Sequence, residues 1–247
     1  DLSTSVFDKK MSLYKDANIT FVGCSRWLSG RAKKSYLLRG KAVLSIPNPI
    51  DTKVYHPMDQ GMARGLLGLP SGKRLLLFGA LNVTDKRKGI DYLIEALRRM
   101  EKQDVELVVF GQVKDDIRGL FPVPIHSMGY LSDESKIVAL YNAVDMFITS
   151  SLEENLPNTI MESMACGTPC VGFEIGGIPE MIDHRVNGYV ANYKDAGDLA
   201  NGIQWVLEHE DRLALSDACV KKVQENYTEE VVAKQYTALY EKLLKGE

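Results

Sequence analysis

Short apolar runs that alternate with amphipathic stretches constrain this chain more than any other feature. Residues 74–78 (Arg-Leu-Leu-Leu-Phe), 105–110 (Val-Glu-Leu-Val-Val-Phe), 145–149 (Asp-Met-Phe-Ile-Thr) and 169–173 (Pro-Cys-Val-Gly-Phe) have strand length and are bounded by Gly, Pro or polar residues. Near-continuous apolarity, in place of strict alternation, suits strands covered on both faces by helices. Between them Ile90, Leu93, Ile94 and Leu97 recur at helical spacing, as do Leu199, Ile203, Val206 and Leu207. The pattern predicts an α/β fold, a Rossmann-like doubly wound domain with a mostly parallel sheet over residues 73–226.

Residues 1–60 read as part of a second α/β layer, with strands at 19–22 and 42–46 and a basic amphipathic helix at 27–38. Pro47-Asn48-Pro49 cannot continue a ladder and marks an exit turn. Residues 61–72, with Gly61, Gly65 and Gly68, read as a linker. Residues 227–247 read as a terminal helix whose stripe of Val232, Tyr236, Leu239, Tyr240 and Leu243 needs a neighbour, so it should fold back on residues 1–60 or pair with another copy. The chain begins at Asp1 without an initiator Met and reads as a piece of something longer.

A composition of 45% hydrophobic and 26% charged residues excludes a disordered chain. No charge-free stretch reaches the roughly 20 apolar residues of a membrane-spanning helix. A net charge of −3 argues against a nucleic-acid binder. Arg26, Arg31, Lys33, Lys34, Arg39 and Lys41 form a local basic run, read as a solvated helix face, with weak peripheral membrane contact as the alternative. Cys166-x3-Cys170 lacks the second Cys/His pair of a zinc site, so Cys24, Cys166, Cys170 and Cys219 are expected as thiols in a reducing compartment. The expected location is therefore cytoplasmic, at most at the membrane surface.

Ligands of open α/β sheets bind outside the carboxyl ends of the strands. After 74–78 the loop from Gly79 carries Lys86-Arg87-Lys88, either a solvated cluster or cations sharing an anionic ligand with helix-terminal amides. After 145–149, Glu154 stands just before a helix with Asn155 as candidate N-cap and Pro157 in its first turn, and Glu162 lies within that helix. The two carboxylates either hold polyol hydroxyls or complement the helix dipole and the surface. Gly176-Gly177 reads equally as a tight turn or a ligand contact, and Ser132 as the cap of another helix.

Together, Phe78-Gly79-Ala80-Leu81, Lys88-Gly89, Gly129-Tyr130-Leu131, Glu154-x7-Glu162 and Gly176-Gly177-Ile178-Pro179-Glu180 resemble the retaining glycosyltransferases of family 4. The resemblance runs from about residue 19 to the end, and Ile46-Pro47-Asn48 looks like the family's interdomain junction. It implies the two-domain GT-B architecture, with this chain as the donor-binding half plus the tail of the N-terminal, acceptor-side half. It implies transfer of a hexose-type sugar from a UDP- or GDP-linked donor, with retention and without a metal or other cofactor. The implied acceptor is a glycan, a lipid-linked or a small molecule, in polysaccharide or related biosynthesis.

By the resemblance Lys88 binds the donor diphosphate, Glu154 approaches the donor sugar, and Glu162 holds the ribose hydroxyls. Glu154 and Lys88 are the catalytic candidates, and Leu131 and Lys136 lie near the base. Two departures stand out. Gly79 is followed by Ala80 where the family carries Arg, with Arg87 as the candidate replacement. Asn155 and Leu156, expected with Gly79 among the donor-binding residues, replace Gly and Phe, narrowing the space beside the sugar. A non-catalytic nucleotide-sugar-binding module is the alternative function.

Overall fold

The computed structural model describes residues 1–82, 85–100, 104–112 and 118–246, so Val83 and Thr84 of the basic loop lie outside the described residues. The N-terminal layer consists of α1 (Leu2–Lys15), β1 (Thr20–Gly23), α2 (Arg26–Lys34) and β2 (Ala42–Ser45), with β1 and β2 paired in parallel. Helix α2 stops at Lys34, short of the expected 38, because Ser35 turns extended and residues Tyr36–Leu38 form a separate 3-10 turn.

The main sheet has six parallel strands. Its elements follow in chain order as α3 (Gln60–Leu67), β3 (Arg74–Asn82), α4 (Ile90–Arg99), β4 (Val105–Gln112), β5 (Ile125–Gly129), α5 (Glu134–Ala143), β6 (Met146–Thr149), α6 (Asn158–Ala165), β7 (Cys170–Phe173), α7 (Ile178–Met181), β8 (Gly188–Ala191), α8 (Ala196–Leu207), α9 (Arg212–Asn226) and α10 (Glu229–Leu244). The strand order is β5-β4-β3-β6-β7-β8. The direction of winding therefore reverses between β3 and β6, the place where doubly wound sheets open a crevice at their carboxyl ends.

Burial explains the apolar runs. Leu75 and Leu77 of β3 join a core with Leu140, Tyr141, Ile160, Met164 and Val223, on the face covered by α5, α6 and α9. Leu76 and Phe78 join the opposite core with Leu93, Leu97, Leu199 and Ile203 of α4 and α8. Successive side chains of β3 thus enter different cores, and each is withdrawn from water.

The glycine-bearing stretch 61–72 holds α3 where the sequence suggested only linker. Asp59 caps this helix by accepting from the Met62 amide at 2.8 Å. Arg64 then enters the interior, donating to the carbonyls of Ala143, Ser71 and Lys73 and to Asp145 Oδ2 at 3.0 Å. Tertiary hydrogen bonds of this kind outweigh the few kcal/mol that helical glycines cost.

Helix α10 returns to the N-terminal layer. Val232 and Leu239 bury against Ile46, with Val22 and Tyr236 at the margin, while Tyr240 and Leu243 stay exposed. The Ile50 amide donates to the Tyr227 carbonyl at 2.8 Å, fastening the start of that return. The accessible surface of 13383 Å² exceeds the ~11,000 Å² expected of a compact chain of this mass. Helix α1, with no buried residue, carries part of the excess. Cys166, Cys170 and Cys219 are buried and Cys24 half-buried, all outside disulfides. No helix among the described residues is long and apolar enough to cross a membrane.

Candidate functional site

Three strand-to-helix junctions converge at the carboxyl ends of β3, β6 and β7. Asp85 opens the first by accepting from the Arg87 amide at 2.9 Å, which winds Lys86–Lys88 into a 3-10 turn. Gly89 follows at φ 63°, and a Cβ there would lie 2.0 Å from the Ser150 carbonyl oxygen, so only glycine lets the two loops touch. Ser150 Oγ donates to the Lys88 carbonyl at 2.9 Å, and the Leu152 amide donates to the Arg87 carbonyl at 2.7 Å. The loop after β3 is thereby sewn to the loop after β6.

That stitching brings Lys88 Nζ within 2.5 Å of Glu154 Oε1, with side-chain exposures of 32% and 15%. The third junction holds Glu154 from the other side. The Gly177 amide donates to the Asn155 carbonyl at 2.6 Å. At Gly176 (φ 61°) a Cβ would come within 1.9 Å of the Glu154 carbonyl oxygen. Gly176-Gly177 is therefore a close backbone approach that fixes the carboxylate-bearing loop.

Glu162 lies in α6, behind this pair. Tyr141, fully buried and packed edge-on against Phe110 and Phe147, donates its hydroxyl to Glu162 Oε2 at 2.8 Å. Burial raises the Glu162 carboxyl above the usual carboxylate range; the Tyr141 bond opposes the rise and the charge of Glu134 adds to it. Tyr55 packs on the same core, its phenol pushed up by burial and then by Glu162 and Glu134. Cys166 completes the surroundings, its thiol pushed up to about 12 by burial and the Glu162 charge.

A carboxyl raised in the folded state stabilises the fold fully below its unfolded pKa, and that contribution is lost as pH rises through the folded value. Glu162→Gln should therefore gain stability relative to the parent as pH rises from the ordinary value of 4.5 through the higher folded-state value. Thermal melts of both chains across that window measure the difference, and parallel curves would show that Glu162 does not titrate abnormally.

The remaining candidates are placed less uniformly. Arg87 is 68% exposed, and its guanidinium grips Asp85, Nε to Oδ1 and Nη2 to Oδ2 at 2.7 Å. That grip holds the Asp85 carboxyl down to about 2. Gly79 serves packing, since a Cβ there would sit 1.9 Å from the Phe110 ring. Leu131 is half-buried against the core that contains Tyr141. Lys136 is exposed and lines a groove with Val54, His56, Met58 and Leu66, between α3 and α5.

Asn155 is not the N-cap of α6; Pro157 holds that position and supplies no side-chain cap. The Asn155 amide instead accepts from Ser25 Oγ at 2.6 Å and donates to Cys24 Sγ at 2.9 Å, so it points to the N-terminal layer. Leu156 is buried. Asp133, one residue beyond the expected Ser132, caps α5 by accepting from the Ser135 amide. Sequence reasoning missed Tyr141, Ser25 and Ser150. Tyr141 falls in an apolar helical stretch where nothing separates it from an ordinary core aromatic, and the two serines act across long sequence distances.

A six-stranded parallel sheet whose winding reverses between β3 and β6 defines a Rossmann-like domain. The match to "Glycosyl transferases group 1" spans residues 72–209, and the chain belongs to that family. N-acetyl-alpha-D-glucosaminyl L-malate synthase of Bacillus anthracis is 24% identical over 213 residues, covering 84% of this chain and 55% of that protein. The chain thus spans about half the length of this curated relative. Among solved structures, sucrose-phosphate synthase from Thermosynechococcus elongatus superposes with a TM-score of 0.81 at 22% identity, over 99% of this chain and 63% of that one. Anabaena HepE in complex with UDP-glucose does so with a TM-score of 0.75 at 19% identity, over 95% and 68% of the two chains. These two likenesses concern the fold.

Proposed function

We propose that this chain carries the donor site of a retaining, metal-independent glycosyltransferase that uses a nucleotide-diphosphate sugar. The observation that carries the reading is the Lys88–Glu154 pair at the switch point, with the half-buried Glu162 on the adjoining helix. A lysine suits a diphosphate, and carboxylates suit sugar hydroxyls. In this assignment Lys88 receives the diphosphate, Glu154 the donor sugar and Glu162 the ribose, with Leu131 and Lys136 near the base.

The chemistry follows from the charges. As the bond from the anomeric carbon to the phosphate oxygen breaks, its electron pair goes to the departing diphosphate. The Lys88 ammonium stabilises that charge without a metal. The acceptor oxygen then bonds to the anomeric carbon and passes its proton to the departing diphosphate; no protein nucleophile is assigned. UDP is the first nucleotide to test, because the similar fold of HepE was solved with UDP-glucose.

Glu162→Ala leaves ribose hydroxyls unpaired and should cost about 1–3 kcal/mol of UDP or GDP affinity. Isothermal titration of the folded variant measures this. Unchanged affinity for both nucleotides would remove Glu162 from the site.

A further inference from the structure

We propose that Ser25 and Asn155 are a positioning pair through which the N-terminal layer sets Glu154 against the donor sugar. This rests on the donor-site reading above and adds to it a pair that acts through the backbone beside Glu154.

Ser25 is 1% exposed and its hydroxyl is used twice. It accepts from the Leu28 amide at 3.0 Å, capping α2, which leaves its proton to donate to Asn155 Oδ1 at 2.6 Å. The other end of the same amide donates to Cys24 Sγ. Two adjacent residues, 130 and 131 positions away in sequence, thus hold both ends of one side chain and fix its rotation.

The same turn is tied to the site a second time. The amides of Arg26 and Trp27 donate to the two Glu180 carboxylate oxygens, each at 2.8 Å. Glu180 follows Gly176-Gly177, the segment that packs on the carbonyls of Glu154 and Asn155. Residues 24–27 therefore hold both Asn155, in the loop of Glu154, and Glu180, in the helix that follows Gly176-Gly177.

Glu154 is the covalent neighbour of Asn155 and faces Lys88. With the Asn155 carbonyl held by Gly177 and its amide held by residues 24 and 25, the chain at 154 has little freedom to rotate. Losing the hold loosens the carboxylate proposed for the sugar. The backbone of Lys88 is fixed by Ser150 and Asp85, and Glu162 by Tyr141, so both keep the nucleotide site.

The test titrates UDP and UDP-glucose into the full chain and into Asn155→Ala, Ser25→Ala and the double variant. The expected result is a roughly 5- to 10-fold loss of UDP-glucose affinity in each single variant, with UDP affinity within about twofold of the parent. The double variant should lose no more than the worse single one, because both delete the same bond. Retained UDP affinity doubles as the check of folding. Cys24→Ala, which removes only the weaker half of the hold, covers the case in which Asn155→Ala fails to fold; it should move UDP-glucose in the same direction by less. Equal loss for UDP and UDP-glucose, or additive losses in the double variant, would overturn the pairing. A parent chain that binds UDP but gains nothing from the sugar overturns the role of Glu154 together with this proposal. One that binds neither UDP nor GDP overturns the donor site itself.

Discussion

Lys88→Ala should lower nucleoside diphosphate affinity by roughly 10- to 100-fold while leaving the nucleoside within about twofold. Hydrogen bonds to charged groups contribute about 1.5–3 kcal/mol, and only the diphosphate offers Lys88 such an acceptor. Lys88 is partly exposed, so screening trims the upper end of that range. The substitution also removes the partner of Glu154 Oε1, and an additional loss for the nucleotide sugar is expected. Titrations with uridine, UDP and UDP-glucose separate the three contributions. Equal loss for uridine and UDP would show that Lys88 only props up its loop. Arg87→Ala should cost much less than Lys88→Ala, because the Arg87 guanidinium is already committed to Asp85.

The largest effect on stability should come from Asp145→Ala. Its side chain is 2% exposed and takes Arg64 Nη2 at 3.0 Å, Arg212 Nη1 at 2.5 Å, Arg74 Nη1 at 3.4 Å and the Leu75 amide at 2.7 Å. Arg74 and Arg212 reach water, but Arg64 is 6% exposed and would keep a buried charge without its counter-ion. Breaking a buried pair from one side costs about 3–5 kcal/mol. Asp145 sits at the amino end of β6, away from the crevice. Chemical denaturation should therefore report the loss while the folded fraction binds UDP as before. A loss under about 1 kcal/mol would mean that water reaches Arg64 and solvates it.

The central strands were legible in the sequence because β3, β4, β6 and β7 are buried on both faces, and burial on both faces writes a continuous apolar run. The edge strands β5 and β8 carry no such run. Ile125-His-Ser-Met-Gly and Gly188-Tyr-Val-Ala are short and mixed, and only pairing with β4 and β7 makes them strands. Helix α3 was hidden by its glycines, since propensity is local and the bonds made by Arg64 are not.

The same division runs through the site. Strand ends and helix starts leave local signatures, and these alone put Lys88, Glu154 and Glu162 at strand-to-helix junctions or just inside the following helix. That Lys88 and Glu154 face each other depends on loops that meet only after β3 and β6 pair. Tyr141 finds Glu162 only when α5 packs beside α6. Asn155 looked like a helix cap, and it became a clasp on Ser25 and Cys24 because the N-terminal layer offered better-directed partners. Hydrogen bonds between residues 130 apart follow no periodicity, and they form only once the N-terminal layer packs on the main sheet.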